Sequence, residues 1–325
     1  MFGRTIGASL AVGNACVMKP AEDACLAPLR LAELAAEAGF PEGALNVVPG
    51  LGEEAGAALA AHPGIDFISF TGSTEVGTAV QTAAAKNHIG CTLELGGKSP
   101  QVVFADADLE AALASVVNAI VQNAGQTCSA GSRLLLDAKI WDRFMADLAA
   151  RFAKVTAGTP EMDRELGPLI SAKQKRRVLG MVEAAEAAGA KKLAEGEVAP
   201  GAPAEGFFVR PAIYRVDDPA MPLAREEVFG PVLAAIPFRD EAEAVRLANS
   251  TDYGLVAGVW SGDGARAMRV ARKIRVGQVF VNGYGAGGGI ELPFGGVKKS
   301  GHGREKGFEA LYEFCATKTI VINHG

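Results

Sequence analysis

Cys128 stands in Gly125-Gln-Thr-Cys128-Ser-Ala-Gly131-Ser-Arg133, a glycine-flanked loop that follows a helical stretch. A cysteine so placed can be held as a thiolate by backbone N–H groups and act as a nucleophile. Most lone cysteines are instead small inert hydrophobes, and Cys16, Cys25, Cys91 and Cys315, in apolar strands and helices, keep that plainer reading. Glu94 ends an apolar strand in Glu94-Leu-Gly-Gly-Lys98-Ser-Pro100. Partial desolvation there raises a carboxyl pKa toward the range of a general base, and the two glycines leave room for a ligand. The plainer alternative is a strand-end acid paired with Lys98. Lys19-Pro20-Ala21-Glu22 offers a lysine and a carboxylate three residues apart, a spacing that can grip the two hydroxyls of a ribose. In isolation it also reads as an acid at a helix start, favoured by the helix dipole. Gly50-Leu-Gly52-Glu-Glu-Ala55 has the form G-x-G-x-x-A, in which glycines let the backbone approach a pyrophosphate. The acidic residue expected about 20 positions further on is not evident, which weakens it as a dinucleotide fingerprint.

These groups are carried by alternating strands and helices. Val12 to Met18 reads as a strand, followed by a helix with the apolar stripe Leu31, Leu34, Ala35 and Ala38, closed by Gly39 and Pro41. Further strands are expected at 45–48, 67–70 and 92–95, with helices after Gly52 and from about Ser73. Past Lys98 a second α/β pattern begins. Asp106 or Asp108 caps a helix with the apolar set Leu109, Leu113, Val116, Val117 and Ile120, and strands follow at 209–216, 232–237, 257–260 and 279–282. The Ala/Gly/Glu-rich stretch 184–206 is expected to end a helix and loop over the surface. Thr319 to Ile322 alternates as a strand laid on another sheet would. Strand–helix alternation of this kind implies parallel pairing through right-handed crossovers, hence an α/β fold with an open sheet.

Composition removes several function classes. The 325 residues allow two domains, and 49% hydrophobic with 21% charged residues is a globular balance. A net charge of −5 is a poor basis for neutralising nucleic-acid phosphates. The one basic cluster, Lys173, Lys175, Arg176 and Arg177, reads as a solvated helix face. Four histidines and five scattered cysteines, never spaced C-x-x-C, argue against a metal centre or a disulfide framework and suit reduced thiols in a cytoplasm. The apolar stretch Ile6 to Val12, with only Arg4 before it, reads as a buried helix leading into a strand rather than a secretory leader. No run reaches the roughly 18 apolar residues of a membrane span.

Six segments in order give the chain a specific resemblance. Lys19-Pro-Ala-Glu22, Phe70-Thr-Gly-Ser-Thr-Glu75, Leu93-Glu-Leu-Gly-Gly-Lys-Ser-Pro100, Gly125-Gln-Thr-Cys128, Glu226-Glu-Val-Phe-Gly-Pro231 and Pro293-Phe-Gly-Gly296 resemble the motifs of the aldehyde dehydrogenase superfamily, over nearly the whole chain. The resemblance implies a truncated NAD-binding domain over 1–97, a catalytic domain over 98–310 and an oligomerisation segment over 311–325. It implies Cys128 as the nucleophile that adds to the aldehyde and Glu94 as the base that activates the hydrolytic water. On the cofactor side it implies Lys19 and Glu22 at the adenosine ribose, Gly72 and Ser73 at the pyrophosphate, Glu227 and Phe229 at the nicotinamide ribose and ring, and Leu95 and the Gly50 turn lining the cleft. The cofactor expected is NAD, the substrate a small aldehyde and the assembly a homo-oligomer.

Members of that superfamily begin with a further section of about a third of their length. It carries a Pro-Trp-Asn segment whose asparagine is one of two oxyanion donors, and no such segment stands before Lys19. Loss of one such donor lowers a rate by about 10²–10³, so impaired oxidation is the expectation. A second reading stays open, a non-oxidising nucleotide-binding or oligomer-forming remnant with at most esterase activity at Cys128. A coenzyme-A-acylating relative fits less well, because Glu94 supplies a hydrolytic base. A papain-like hydrolase lacks a marked partner among His62, His88, His302 and His324.

Overall fold

The computed structural model describes residues 2–285 and 289–324. The chain divides into two compact units, one of Met1–Glu94, Gly287–Gly295 and Gly301–Gly325, the other of Leu95–Ala286 and Gly296–Ser300. The first break thus falls between Glu94 and Leu95, ahead of the glycine pair. The segment from 301 onward, expected with the second domain as far as 310, packs with the first unit.

The first unit opens on the helix Phe2–Ala11, which buries Ile6 and Ser9. It turns at Gly13, whose φ of 89° favours glycine, into the strand Cys16–Met18. That strand pairs in parallel with Leu45–Val47, and the helix Leu26–Glu37 makes the crossover. Its stripe residues Leu31 and Leu34 are about half exposed. A second parallel pair, Phe67–Thr71 with Gly90–Glu94, is bridged by the helix Thr74–Lys86, capped by the Ser73 hydroxyl. A short antiparallel strand, Gly301–His302, joins this pair beside Glu94 and Leu93.

The second unit is built on a seven-stranded sheet. Its order is Gln278–Val281, Val256–Trp260, Pro100–Val103, Arg133–Asp137, Val232–Phe238, Ala212–Arg215 and Lys191–Glu195. All pairings are parallel except the last. A parallel sheet covered on both faces needs continuous apolar strands. Val102, Val103, Leu134 to Leu136 and Val232 to Ile236 are accordingly buried. The helix Leu109–Val121 is capped by the Asp108 carboxylate and lays Leu113, Val116 and Ile120 on this sheet.

One expectation about elements is corrected. Lys191–Glu195, within the stretch expected to loop, is the antiparallel edge strand. An edge strand needs one paired side only, and its lysines and glutamate suit exposure there while masking its strand signal. Thr319 to Ile322 forms no strand within the described residues. A strand exists only through its partner, and the isolated chain offers it none.

Candidate functional site

In the first unit, the strand Cys16–Met18 delivers Lys19 to a turn that continues into Glu22–Ala24. Lys19 Nζ donates to Glu22 Oε1 at 2.7 Å. That bond, with backbone N–H groups including that of Gly52, holds the Glu22 carboxyl below the usual carboxylate range. A Cβ added at Gly52 would stand 3.4 Å from the same Glu22 oxygen, and one at Gly56 3.8 Å from the Lys19 stem. Lys19, Glu22 and the Gly50–Gly56 turn therefore form one corner. Gly50 is required by its own turn, since a Cβ there would lie 2.8 Å from that of Ala55. Ser73 accepts from the Val76 N–H at 3.3 Å and caps the helix Thr74–Lys86. Gly72 has a packing reason of its own, the Phe70 ring 2.5 Å from its missing Cβ.

Glu94 ends its strand 1% exposed. Neither carboxylate oxygen has a hydrogen-bond partner among the described residues. Burial, and next the neighbouring Glu305 carboxylate, push its pKa up to about 8 against the opposing pull of Arg4 and Arg304. Glu305 is itself buried, paired with Arg4, and accepts from the Thr5 hydroxyl at 2.9 Å. It is held by an antiparallel bridge to Phe294. A Cβ on Gly295 would stand 2.8 Å from Glu94 Oε1. Gly295 thus keeps the space that the Glu94 carboxylate occupies.

In the second unit, the helix Leu109–Val121 runs into three successive residues with left-handed φ, Asn123 at 52°, Ala124 at 53° and Gly125 at 72°. Such backbone costs roughly 1–3 kcal/mol per non-glycine residue and persists only where the surroundings enforce it. Here the Asn123 amide donates to the Gln126 carbonyl at 2.9 Å. Gly125 lies directly against the Gly230 carbonyl, where any Cβ would overlap it. The strained turn aims the chain into a tight turn with Cys128 and Ser129 at its centre, closed by Ala130 N–H to Thr127 O at 2.9 Å. The Cys128 carbonyl packs onto Gly97, again without room for a Cβ. Gly97 N–H donates to Glu227 Oε1 at 3.0 Å, and the Glu227 carboxylate covers Gly96. Cys128, Gly97 and Glu227, far apart in the sequence, are therefore adjacent. Burial raises the pKa of the Glu227 carboxyl.

Several supports of this cluster escaped the sequence reading. Gln174 Nε2 donates to the carbonyls of Val228 and Phe229 at 3.2 and 2.8 Å, holding Phe229 at its φ of 57°. Arg177 donates to the Glu227 carbonyl at 2.9 Å and Lys175 to that of Gly206 at 2.8 Å. The basic cluster is thus only in part a solvated face. Ser300 accepts from Leu95 N–H through its carbonyl and donates through its hydroxyl to Gly96 O at 2.7 Å. The Leu95 side chain itself is buried. Arg133 donates to Lys98 O and to the last carbonyls of the helix Glu241–Ala248. Lys98 Nζ is buried without a hydrogen-bond partner among the described residues. Burial, and next Arg133, lower its pKa to about 7.

The cysteine reading needs one correction. Cys16 is buried, Cys25 and Cys91 are half-buried, and Cys315 is exposed past the end of the helix Gly307–Glu313. Burial raises the Cys91 thiol, whereas Cys315 is open to reagents. Among the described residues no three His, Cys, Asp or Glu side chains gather as a metal site, and no helix is long and apolar enough to cross a membrane.

The model of the aldehyde dehydrogenase family matches residues 1–320. The chain belongs to the aldehyde dehydrogenase family. Human retinal dehydrogenase 2 is 41% identical over 324 residues, covering 99% of this chain and 62% of its own length. Rat cytosolic aldehyde dehydrogenase 1 is 42% identical, with 99% and 64% covered. Among solved structures, a Burkholderia cenocepacia protein named in the same family is 62% identical, with TM-score 0.98 over 100% of this chain and 68% of that one. Betaine aldehyde dehydrogenase of Staphylococcus aureus, solved in complex with NAD+, is 39% identical with TM-score 0.91, over 95% and 61%. The chain spans 62–65% of the length of the curated relatives it matches.

Proposed function

We propose that this aldehyde dehydrogenase family member oxidises a small aldehyde to its carboxylic acid with NAD, Cys128 acting as nucleophile and Glu94 as base. The observation that carries the reading is the Glu94 carboxyl, buried, unbonded and held at about 8, a group prepared for proton transfer near neutral pH. The residues present fit the cofactor. Gly52 leaves space directly beside Glu22, and the Ser73-capped helix offers its N-terminal dipole to a pyrophosphate. Lys19 and Glu22 would take the adenosine ribose, and Glu227 and Phe229 the nicotinamide end. When bound, NAD supplies the acceptor for the hydride that leaves the substrate carbon.

The chain's own groups do the rest. The Cys128 thiolate adds to the carbonyl carbon, and the carbonyl pair moves to oxygen. The backbone N–H of Cys128, fixed by the turn at 127–130, donates to that oxyanion. Once the carbon has lost its hydride it is a thioester. Ionised Glu94 then takes a proton from a water whose oxygen adds to the thioester carbon, and the Cys128 sulfur leaves as thiolate with the acid as product. NADH formation with an aldehyde panel tests the reading. Reduction with at least one aldehyde is expected, and none with any would overturn it.

The Glu22 carboxylate can accept from both ribose hydroxyls and repels a 2′-phosphate. We expect kcat/KM for NAD to exceed that for NADP by at least about tenfold, like charges at such a site being costly. Glu22→Gln should narrow the gap. Equal use of both cofactors by the unaltered chain would refute the assignment.

The terminal Ile320, Val321 and Ile322 are 76%, 79% and 69% exposed. An apolar strand-like tail of this kind suits pairing with a sheet edge of a second copy. Light scattering should show an oligomer, and a monodisperse monomer at working concentration would exclude this role for the tail. The reduced thiols accord with a cytoplasmic location, which cell fractionation would check.

A further inference from the structure

The strand Gln278–Val281 runs into Asn282, which turns the chain at a φ of 52°. The Asn282 side chain accepts from Ser261 N–H at 3.0 Å and donates to Ser261 O at 3.1 Å, pinning the turn to the end of the strand Val256–Trp260. Two residues on, Tyr284 lays its ring against Gly258, where a Cβ would stand 2.9 Å from Tyr284 Cδ2. The ring so placed points its hydroxyl at the Ser129 carbonyl, to which it donates at 2.8 Å. The reaction set out above makes no use of this phenol.

The Ser129 carbonyl and the Ala130 N–H belong to one planar peptide unit, and that N–H donates to Thr127 O at 2.9 Å. The Thr127 carbonyl in turn shares its peptide unit with the Cys128 N–H. A continuous line therefore runs from the phenol through two peptide units to the N–H at the cysteine. A carbonyl that accepts a hydrogen bond draws electrons from its own amide nitrogen and makes that N–H a stronger donor, and the gain passes along such a chain away from water. Ser129 and Ala130 are both buried, and the exit of the turn is held by Gly131 N–H to Ala119 O at 3.0 Å. Burial first, and the neighbouring Cys128 among the rest, push the Tyr284 phenol well above its usual range, so it remains a donor at neutral and mildly alkaline pH.

We propose that Tyr284 is a positioning residue for the oxyanion donor, its hydroxyl orienting and polarising the Cys128 N–H through the peptide units 129–130 and 127–128. This rests on the reading of Cys128 as nucleophile given above. When the thiolate adds to a carbonyl, negative charge gathers on oxygen, and a stronger, better aimed N–H lowers that barrier. Displacement at a saturated carbon gathers no such charge. Thr127, Ser129 and Tyr284 also border a cavity of about 30 Å³, room for about one water. In Tyr284→Phe a water there can serve the Ser129 carbonyl, which keeps the turn folded, but its donor is not fixed in direction.

The Phe variant separates the two kinds of attack. In acylation by p-nitrophenyl acetate the Cys128 sulfur adds to the ester carbonyl, and p-nitrophenolate leaves as the carbonyl re-forms. In alkylation by iodoacetamide the sulfur displaces iodide and no oxyanion arises. Both rates are followed over a pH series and divided by the thiolate fraction that the alkylation profile gives, with mass mapping to assign them to Cys128. Acylation per thiolate should fall about tenfold in Tyr284→Phe, the worth of about one net hydrogen bond. Alkylation per thiolate should not change. Equal loss of both rates would make the phenol a prop of the loop alone and overturn the proposal. So would acylation that survives the substitution, or an unaltered chain whose Cys128 is alkylated but never acylated. NADH formation from aldehydes is measured in parallel. Acylation lost in the variant, with no NADH from any aldehyde in the unaltered chain, sinks the oxidation reading and leaves the role of the phenol standing. Oxidation together with acylation indifferent to the phenol does the reverse.

Discussion

The Cys128→Ala chain is expected to bind NAD and to form NADH with no aldehyde at a measurable rate, a loss of at least about 10⁴-fold, as for other covalent nucleophiles. The expectation rests on geometry that no other thiol shares. Cys128 sits at the centre of a backbone turn beyond three left-handed residues, and its carbonyl is packed on Gly97. Cys16 is buried in a strand, and burial raises the Cys91 thiol. Cys315 is exposed but lies after a helix end without a comparable turn. NADH absorbance and calorimetric NAD titration on the same preparation separate chemistry from binding. A variant that kept more than a tenth of the rate would move the nucleophile elsewhere. One that lost NAD binding as well would show that Cys128 supports the fold of the cofactor site.

What could be read without coordinates follows from how local each constraint is. Gly125 was legible as a glycine beside Cys128, but the glycines after Glu94 were read for the wrong reason: instead of leaving room for a ligand, Gly96 is covered by the Glu227 carboxylate and Gly97 lies against the Cys128 carbonyl. Ser73 and Asp108 were legible because a helix cap acts within three residues. The strand Val232–Phe238 was legible as an unbroken apolar run, whereas Pro100–Val103 and Arg133–Asp137, at the centre of the same sheet, were not read as strands. Glu305, Arg4 and Thr5 were not. They meet only when the first helix packs near the strand after Phe294, some 300 positions later. Gln174 and Arg177 likewise act on backbone carbonyls about 50 residues away, and an amide or guanidinium on a helix face looks solvated until its acceptor is in view. The edge strand Lys191–Glu195 was hidden by the charges that protect an edge.

Glu94→Gln should separate the two halves of the reaction. Addition of Cys128 and the first hydride transfer do not need the carboxylate, so a burst of NADH of about one equivalent is expected. Turnover should then slow by about 10²–10⁴-fold, the usual contribution of a positioned base. The pH dependence follows from the same group. Only the ionised carboxylate can accept a proton from water, and burial with the Glu305 charge holds its pKa at about 8. Hydrolysis should therefore rise with pH through that value and level off above it. Glu305→Gln removes a neighbouring negative charge and leaves Arg4 without its counter-ion. Both changes favour ionised Glu94, so the rise should move to lower pH. Glu94→Gln should have no such limb at all. If the limb survives in Glu94→Gln, the base is another group. If it fails to move in Glu305→Gln, desolvation alone sets the pKa, and the second carboxylate serves only to hold Arg4 and Thr5.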